Sequence, residues 1–215
     1  VQKYYGAYPK APQPIPQVYT TEPAQTGQRR VTVKKAGQLG VVGLAYKSVA
    51  ATHPDEAAML ILGSILADGK NSRLYRALTD QSLTTDASAY VGFFHDPSLF
   101  NLWANLAPGA THEQVEKIIV AEVEKLKADG VTDAEVNAAV SKKLADAAYA
   151  RDGSFAIASS INECIAAGDW TLYYTLEDAY RKVTPDDVKR VANHYLVEDQ
   201  SVAGWFIPLV PAAAE

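Results

Sequence analysis

Cysteine, histidine and positive charge are all scarce in this chain of 215 residues. The single cysteine, Cys164, excludes an internal disulfide, so the cysteine content does not indicate the redox compartment. The formal net charge of −5 argues against a nucleic-acid partner. No apolar run approaches the roughly 20 residues that a membrane-spanning helix needs, so we expect no membrane span.

A start methionine and a signal peptide are also missing, because the chain begins at Val1. We therefore interpret the sequence as a fragment or processed piece of a longer protein. Apolar residues make up 48% of the chain and charged residues 21%, which is typical of a folded globular domain. A domain of this size buries about 70% of its unfolded surface, so neither a disulfide nor a metal is needed to hold it together.

Proline is concentrated at the start of the chain, where residues 1–28 hold five of the eleven prolines. Proline at that density blocks helices and central strands, which predicts an extended linker over 1–28. We predict a single folded domain over 29–208 and an exit linker over 209–215.

Period-two alternation predicts the strands. In the segment Leu99–Leu106 the residues Phe100, Leu102, Ala104 and Leu106 share one face, whereas Asn101, Trp103 and Asn105 share the other, as in a half-buried antiparallel strand. The dense apolar run 41–46 predicts a central strand. Further strands are predicted at 29–35, 87–94 and 201–207.

Capping signals predict where the helices begin. Thr111 with Gln114 and Thr132 with Glu135 each have the spacing of a capping box. Thr184, followed by Pro185 and two acids, is typical of another helix start. We also expect Thr52 to cap a helix that ends at Asp68-Gly69, and Asn71 or Ser72 to cap a short helix. Two more helices are predicted at 154–167 and 170–180.

Grouped helices between strands that pair mostly as hairpins predict an α+β fold: two layers, with a mostly antiparallel sheet packed against helices. The segment 63–90 makes this prediction more specific. Its sequence Ile65-Leu66-Ala67-Asp68-Gly69-Lys70-Asn71-Ser72-Arg73-Leu74-Tyr75 resembles a pattern in the second domain of a repeat unit in the M16 peptidases, the pitrilysin/insulinase-type zinc metallopeptidases.

Seven short motifs follow one another in the order that this family shows: KYYG, SRLYRAL, PG before a capped helix, VTDAEV, GDW, VTPDDVKRVANHYL and GWFIP. The co-linear order is more specific than any one motif, and it covers the chain from Lys3 to Pro208. The resemblance implies the M16 metallohydrolase-like fold and places a missing domain directly upstream of Val1.

Zinc catalysis of the M16 kind needs a His-x-x-Glu-His helix, which this chain does not contain. Its histidines, His53, His95, His112 and His194, are too far apart in sequence to share a helical turn. We interpret His53 and His112 as cap-region residues and His194 as a helix-surface residue. The prediction is therefore no metal ligand in this chain, and zinc in the upstream domain of the parent protein.

The family's fourth domain also carries an Arg and a Tyr that stabilise the substrate oxyanion. Aligned through Ser82-Leu83, the matching positions here are Leu78 and Thr85, and neither can do this. The resemblance therefore implies the second domain of the zinc-bearing half, with no catalytic residue. Both that zinc domain and the second half of the peptidase clamshell are implied partners.

Arg73, Tyr75 and Arg76 are the candidate substrate-contact residues, because they lie in the most family-like motif. For Arg73 we favour the alternative that it pairs with an acid or caps the C-terminus of a neighbouring helix. Cys164 has no basic neighbour in sequence, which favours a buried thiol over a nucleophile.

The leading functional hypothesis is a non-catalytic domain of an M16-type zinc metallopeptidase that forms part of a peptide-enclosing chamber and supports the zinc domain. Alone, it is expected to be inactive. One rival is a structural subunit, since proteins of this fold serve as respiratory-complex core subunits without proteolytic activity. Another is an unrelated binding domain. The resemblance weakly favours a periplasmic location, and the sequence itself leaves localisation unknown.

Overall fold

A five-stranded sheet organises the molecule. The computed structural model of the chain describes residues 1–10, 12–14, 16 and 22–209. The strands run in the order β1-β5-β2-β4-β3, with β1 and β5 parallel and the other neighbours antiparallel. This is the predicted α+β fold with a mostly antiparallel sheet. The strands are β1 (Arg29–Ala36), β2 (Val41–Lys47), β3 (Thr84–Val91), β4 (Leu99–Leu106) and β5 (Ser201–Leu209).

Helices cover one face of the sheet. Helices α2 and α3 lie on the strands, α4, α6 and α7 pack against α2, and α5 packs on α6. A π-helical turn, Tyr75–Thr79, follows α2, and a 3₁₀ turn, Glu198–Gln200, precedes β5. The helices are α1 (Gln2–Tyr5), α2 (Glu56–Ala67), α3 (His112–Asp129), α4 (Asp133–Tyr149), α5 (Ser154–Ala166), α6 (Leu172–Tyr180) and α7 (Pro185–Tyr195).

The core lies between the sheet and these helices. On β4 the predicted alternation is confirmed, because Phe100, Leu102, Ala104 and Leu106 are buried. β2 is central, as predicted, and contributes Val42, Leu44 and Tyr46 to the same layer. Burying an aliphatic or aromatic side chain of this size contributes about 1.5–3 kcal/mol each to folding.

Three predicted helix starts are confirmed by their N-cap hydrogen bonds. Thr132 with Glu135 and Thr184 with Asp187 form complete capping boxes. The Thr111 side chain accepts from the backbone N–H of Gln114, but no return bond to the Thr111 backbone is seen among the described residues, so this box is only half formed.

The predicted cap at Thr52 is wrong, and the predicted cap at Ser72 has the right position but no side-chain cap hydrogen bond among the described residues. α2 begins at Glu56 with Asp55 at the N-cap position, rather than after Thr52, because residues 51–55 form turns. The Asp55 carboxylate is bound by Arg190 and Tyr195 and makes no cap hydrogen bond to its own helix. Ser72 directly precedes the short helical segment, and its carbonyl accepts from the backbone N–H of Arg76. Its hydroxyl donates to the carbonyl of Gly69 at 2.7 Å and accepts from no N–H among the described residues, so its side chain forms no cap.

Other boundaries also shift. β3 occupies Thr84–Val91 rather than 87–94, because its pairing with β4 begins at Thr84 and ends at Val91. The segment that was predicted as an extended linker contains one helical turn, α1. The predicted exit linker falls almost entirely outside the described residues, and Leu209 is the last residue of β5. Among the described helices, none has the length and apolar character of a bilayer span.

Candidate functional site

Arg73 lies just before the π-helical turn, and its guanidinium forms hydrogen bonds to other parts of the chain. Its Nε donates to Glu135 Oε1 at 2.8 Å, and its Nη2 donates to Glu135 Oε2 at 3.1 Å and to the carbonyl of Gly130 at 3.0 Å. Gly130 is the C-cap residue of α3. Arg73 therefore both pairs with an acid and caps a helix C-terminus, the alternative that the sequence favoured.

The electrostatics of Glu135 follow from this contact. The Arg73 guanidinium lowers the pKa of Glu135 to about 2, and hydrogen bonds from Thr132 act in the same direction. Because Glu135 also completes the capping box of α4, one carboxylate joins the π-helical turn, the end of α3 and the start of α4.

The other two candidate contact residues are more accessible. Tyr75 is half-buried, and Arg76 is exposed with its Nη2 3.4 Å from the amide oxygen of Asn71. All three residues thus lie on one short segment, with Arg76 the most exposed. Contact with a substrate by Arg73, Tyr75 or Arg76 stays a prediction.

The histidines are dispersed in the structure. His112 Nε2 donates to the carbonyl of Phe206 at 2.8 Å, and the Nδ1 atom of His53 accepts from the backbone N–H of Asp55. His95 contacts Asp96 at an exposed turn. Within residues 1–10, 12–14, 16 and 22–209, no three His, Cys, Asp or Glu side chains come together as metal ligands would.

Cys164 lies on α5 and is buried. Burial raises its pKa, and the nearby carboxylates of Asp169 and Glu163 raise it further. A reactive cysteine needs the opposite environment, one that stabilises the thiolate. The structure therefore agrees with the buried, structural thiol that the sequence favoured.

The face of the sheet opposite the helices carries a feature that sequence reasoning missed. A hollow of about 450 Å³ opens on this face across four strands, and its lining is almost wholly apolar. We call it the sheet hollow. It is lined by Val31, Val33, Val41, Gly43, Leu44, Ala45, Asn101, Trp103, Val202, Gly204, Trp205 and Phe206.

Two glycines make the floor of the sheet hollow. Gly43 on β2 is directly paired with Gly204 on β5, so two adjacent positions of this face have no side chain. Trp103, opposite Gly43 on β4, lies over this glycine, because its ring atoms are 3.2–3.4 Å from where a Gly43 Cβ would be. Val31 Cγ1 lies 3.3 Å from the corresponding position at Gly204. Trp103 is 49% exposed. The sequence signal was a tryptophan on the face of β4 that points away from the core.

A second apolar surface lies on the helices. Only Cys164 of α5 is buried, although the helix carries just one charged residue, Glu163. Large side chains on and around α5 and α6 are more than half exposed. We call this region the α5–α6 surface. It consists of Tyr149, Phe155, Ile165, Trp170 and Tyr174.

A protein-family model and a known protein both match the sequence of this chain. Residues 1–143 match the family model described as the peptidase M16 inactive domain. The chain is 31% identical over 196 residues to the zinc protease PqqE of Helicobacter pylori, an alignment that covers 90% of this chain and 44% of that protein. The chain thus spans less than half the length of this relative.

Solved structures of zinc-protease-like proteins share the fold of this chain. A protease from Helicobacter pylori superimposes with a TM-score of 0.88 at 30% identity, covering 96% of this chain and 51% of that one. The inactive peptidase domain of a zinc protease homologue from Bordetella parapertussis gives 0.74 at 29% identity, covering 82% of this chain and 96% of that one. The fold, the motif order and the family match lead to one conclusion: the chain belongs to the peptidase M16 inactive-domain family, the non-catalytic domain of zinc-protease-like proteins.

Proposed function

We propose that this chain forms a non-catalytic wall of a peptide-enclosing chamber in a zinc metallopeptidase and supports a zinc-bearing domain of the same parent protein. The observation that carries the proposal is the alignment to a zinc protease of which this chain covers only 44%. The remaining length of such a relative is where a zinc-bearing domain would lie, and it is where we place zinc in the parent.

The α5–α6 surface supports a role as partner of another domain. An isolated domain rarely exposes several large apolar side chains side by side, and such patches mark interaction sites. Phe155 is 86% exposed and Trp170 is 54% exposed. We propose that the zinc-bearing domain packs on this surface and that the second half of the clamshell closes the chamber around peptide.

The test is a paired measurement of zinc content and peptide hydrolysis on this chain and on the longer parent protein. We expect the chain alone to be metal-free and inactive, and the parent to bind zinc and lose peptidase activity when a chelator is added. Substitution of the zinc-ligating histidines in the parent is the matched control, since it leaves this domain unchanged.

Two outcomes contradict the proposal. Stoichiometric zinc and peptide cleavage by the chain alone require that its own histidines be catalytic. A parent protein that folds, binds no zinc and cleaves no peptide leaves a structural scaffold as the function.

A further inference from the structure

We propose that a pocket on the helical side of the sheet binds an alkyl cation, the guanidinium of an arginine or the ammonium of a lysine. The pocket lies between α3, the strands β1, β2 and β5, and the 3₁₀ turn before β5. We call it the tyrosine pocket, because Tyr46 of β2 lines it. The proposal adds a binding site to this domain and does not depend on the proposed function.

Tyr46 is a buried side chain whose hydroxyl has no hydrogen-bond partner among the described residues. It lies near the end of β2, is 5% exposed, and points to the same side of the sheet as Val42 and Leu44. Most buried polar groups in folded proteins are hydrogen-bonded, because removing them from water without a partner costs free energy. The tyrosine pocket is therefore where a ligand can supply the missing partner.

Carboxylates outnumber cations in the lining, with Glu113, Glu116, Glu124 and Glu198 against Arg30 and Lys117, a net charge of −2. Glu116 is neutralised by Arg30, which donates to its two carboxylate oxygens at 2.8 and 2.7 Å. Glu124 Oε1 accepts from Lys127 Nζ at 2.7 Å. Glu124 Oε2 and the Glu198 carboxylate accept no hydrogen bond from any described residue, so acceptors remain for a cationic ligand.

These carboxylates lie close to the Tyr46 hydroxyl. Burial, together with the carboxylates of Glu124, Glu198 and Glu116, raises the pKa of Tyr46 to about 12. The phenol is therefore neutral at physiological pH, and its oxygen can accept an N–H. A guanidinium or an ammonium carries several N–H donors and a positive charge, so it can bond to the phenol oxygen and to a carboxylate at once.

The apolar part of the lining fits the alkyl stem of such a ligand. Val120, Leu196 and Trp205 line the pocket beside the carboxylates. Arginine and lysine bury their methylene stems along apolar surface and keep the charged group at polar atoms. The Arg30 guanidinium already lies 5.5 Å from the centroid of the Trp205 ring, so this wall accommodates a cation. The volume of about 410 Å³ lies within the range of small-ligand pockets, roughly 300–1,000 Å³.

The experiment is an NMR titration of this chain, labelled with ¹⁵N, with N-acetylarginine amide and N-acetylcitrulline amide. Citrulline has the shape of arginine without the charge. We expect the citrulline probe to bind at least ~10-fold more weakly, because it cannot form charge-assisted hydrogen bonds. During titration with the arginine probe, the Tyr46 amide signal and the Trp205 indole signal should shift.

Two further probes identify the source of the cation. N-acetyllysine amide should bind within about 5-fold of the arginine probe, since both carry the charge on an alkyl stem. The free diamine 1,4-diaminobutane has no peptide groups. Tighter binding of the diamine than of both amides assigns the pocket to free amines, whereas weaker binding assigns it to a residue of a chain.

Protein variants assign the site. Tyr46→Phe removes only the hydroxyl and should weaken binding of the arginine probe by about 3–10-fold. Glu198→Gln, at an exposed position, should weaken it by about 2–5-fold. Binding of the citrulline probe should change less in both variants. Glu122→Gln, the same neutralisation on α3 at a side chain outside the lining, is the matched control and should leave binding unchanged.

Three results overturn the proposal: equal binding of the arginine and citrulline probes, signal shifts that do not include Tyr46 or Trp205, and unchanged binding in Glu198→Gln. The last variant keeps the test decisive even if Tyr46→Phe does not fold, because Glu198 lies outside the core. The titration measures neither zinc nor peptide hydrolysis, so its failure leaves the proposed function untouched, and the reverse also holds.

Discussion

Glu56 is a carboxylic acid that is buried in the core of the domain. It lies in the first turn of α2 and is 1% exposed, and neither carboxylate oxygen has a hydrogen-bond partner among the described residues. Burial without a partner raises its pKa to about 8. Burial also raises the pKa of the nearby Tyr180, and the Glu56 carboxylate raises it further. At neutral pH the folded chain therefore holds Glu56 in its neutral form.

This environment predicts a pH dependence of stability. The folded-state pKa of Glu56 lies above the unfolded value near 4.5, so the folded state binds an extra proton between pH 4.5 and about 8. The contribution of Glu56 is most favourable below pH 4.5 and declines as pH rises to about 8, by at most ~1.4 kcal/mol per pH unit. Glu56→Gln should remove this decline.

The measurement is the free energy of unfolding in urea at pH 5, 6, 7 and 8. The difference between Glu56→Gln and the unsubstituted chain should grow in favour of the variant as pH rises. Glu163→Gln, at an exposed position, is the control and should show a constant difference. Parallel pH profiles for Glu56→Gln and the unsubstituted chain would show that Glu56 is ionised in the folded state.

At the scale of elements, the contact between Arg73 and Glu135 connects the π-helical turn to the junction of α3 and α4. Removing Arg73 leaves the half-buried Glu135 carboxylate without its cation and uncaps the Gly130 carbonyl, whereas removing Glu135 leaves only the Arg73 guanidinium without its acid. We expect Arg73→Ala to lower the free energy of unfolding by about 1–2 kcal/mol at pH 7. Arg76→Ala, at the exposed neighbouring position, should change it by less than about 0.5 kcal/mol.

A double-mutant cycle with Glu135→Gln isolates the pair. Arg73 lowers the pKa of Glu135 from 4.5 to about 2, so the stabilisation is complete above pH 4.5 and is lost as pH falls towards 2. The coupling energy measured by chemical denaturation should accordingly be positive at pH 7 and smaller at pH 3. A coupling energy near zero at pH 7 would contradict the role assigned to this pair.

Sequence patterns between residues close together in the chain predicted most helices and strands. Features that depend on contacts between distant residues were predicted wrongly or missed. The capping box at Thr132 depends on residues three apart, so the sequence alone reveals it. The cap predicted at Thr52 was wrong: residues 51–55 form turns, and Asp55, at the N-cap position, is bound through its carboxylate by Arg190, 135 positions away. The floor of the sheet hollow was missed for the same reason: Gly43 and Gly204 become neighbours only through the pairing of β2 with β5.

At the scale of the whole molecule, apolar surface is exposed in two separate places. The sheet hollow lies on the open face of the sheet, and the α5–α6 surface lies on the helices. They differ in construction. The hollow lies on four hydrogen-bonded strands of the sheet, including the edge strand β1, whereas α5 is a helix with a single buried residue.

The weak packing of α5 leads to a prediction about local stability. Helices with few buried contacts open with small free energies, so their amide hydrogens exchange quickly. In this chain alone, amides of α5 should exchange much faster than those of α3, which buries Val115, Ile119, Val123 and Leu126. Hydrogen exchange followed by mass spectrometry measures both helices in one experiment, with α3 as the internal reference.

The same measurement on the longer parent protein tests where the zinc-bearing domain packs. If it lies on the α5–α6 surface, exchange in α5 should slow markedly in the parent, while exchange in α3 stays nearly constant. Replacing exposed Phe155 and Trp170 by serine should restore fast exchange in α5 of the parent, since these side chains contribute little to the core of this domain. Equal exchange of α5 in the chain and in the parent would assign the interdomain contact to another surface, because a covered helix cannot open as freely as an uncovered one.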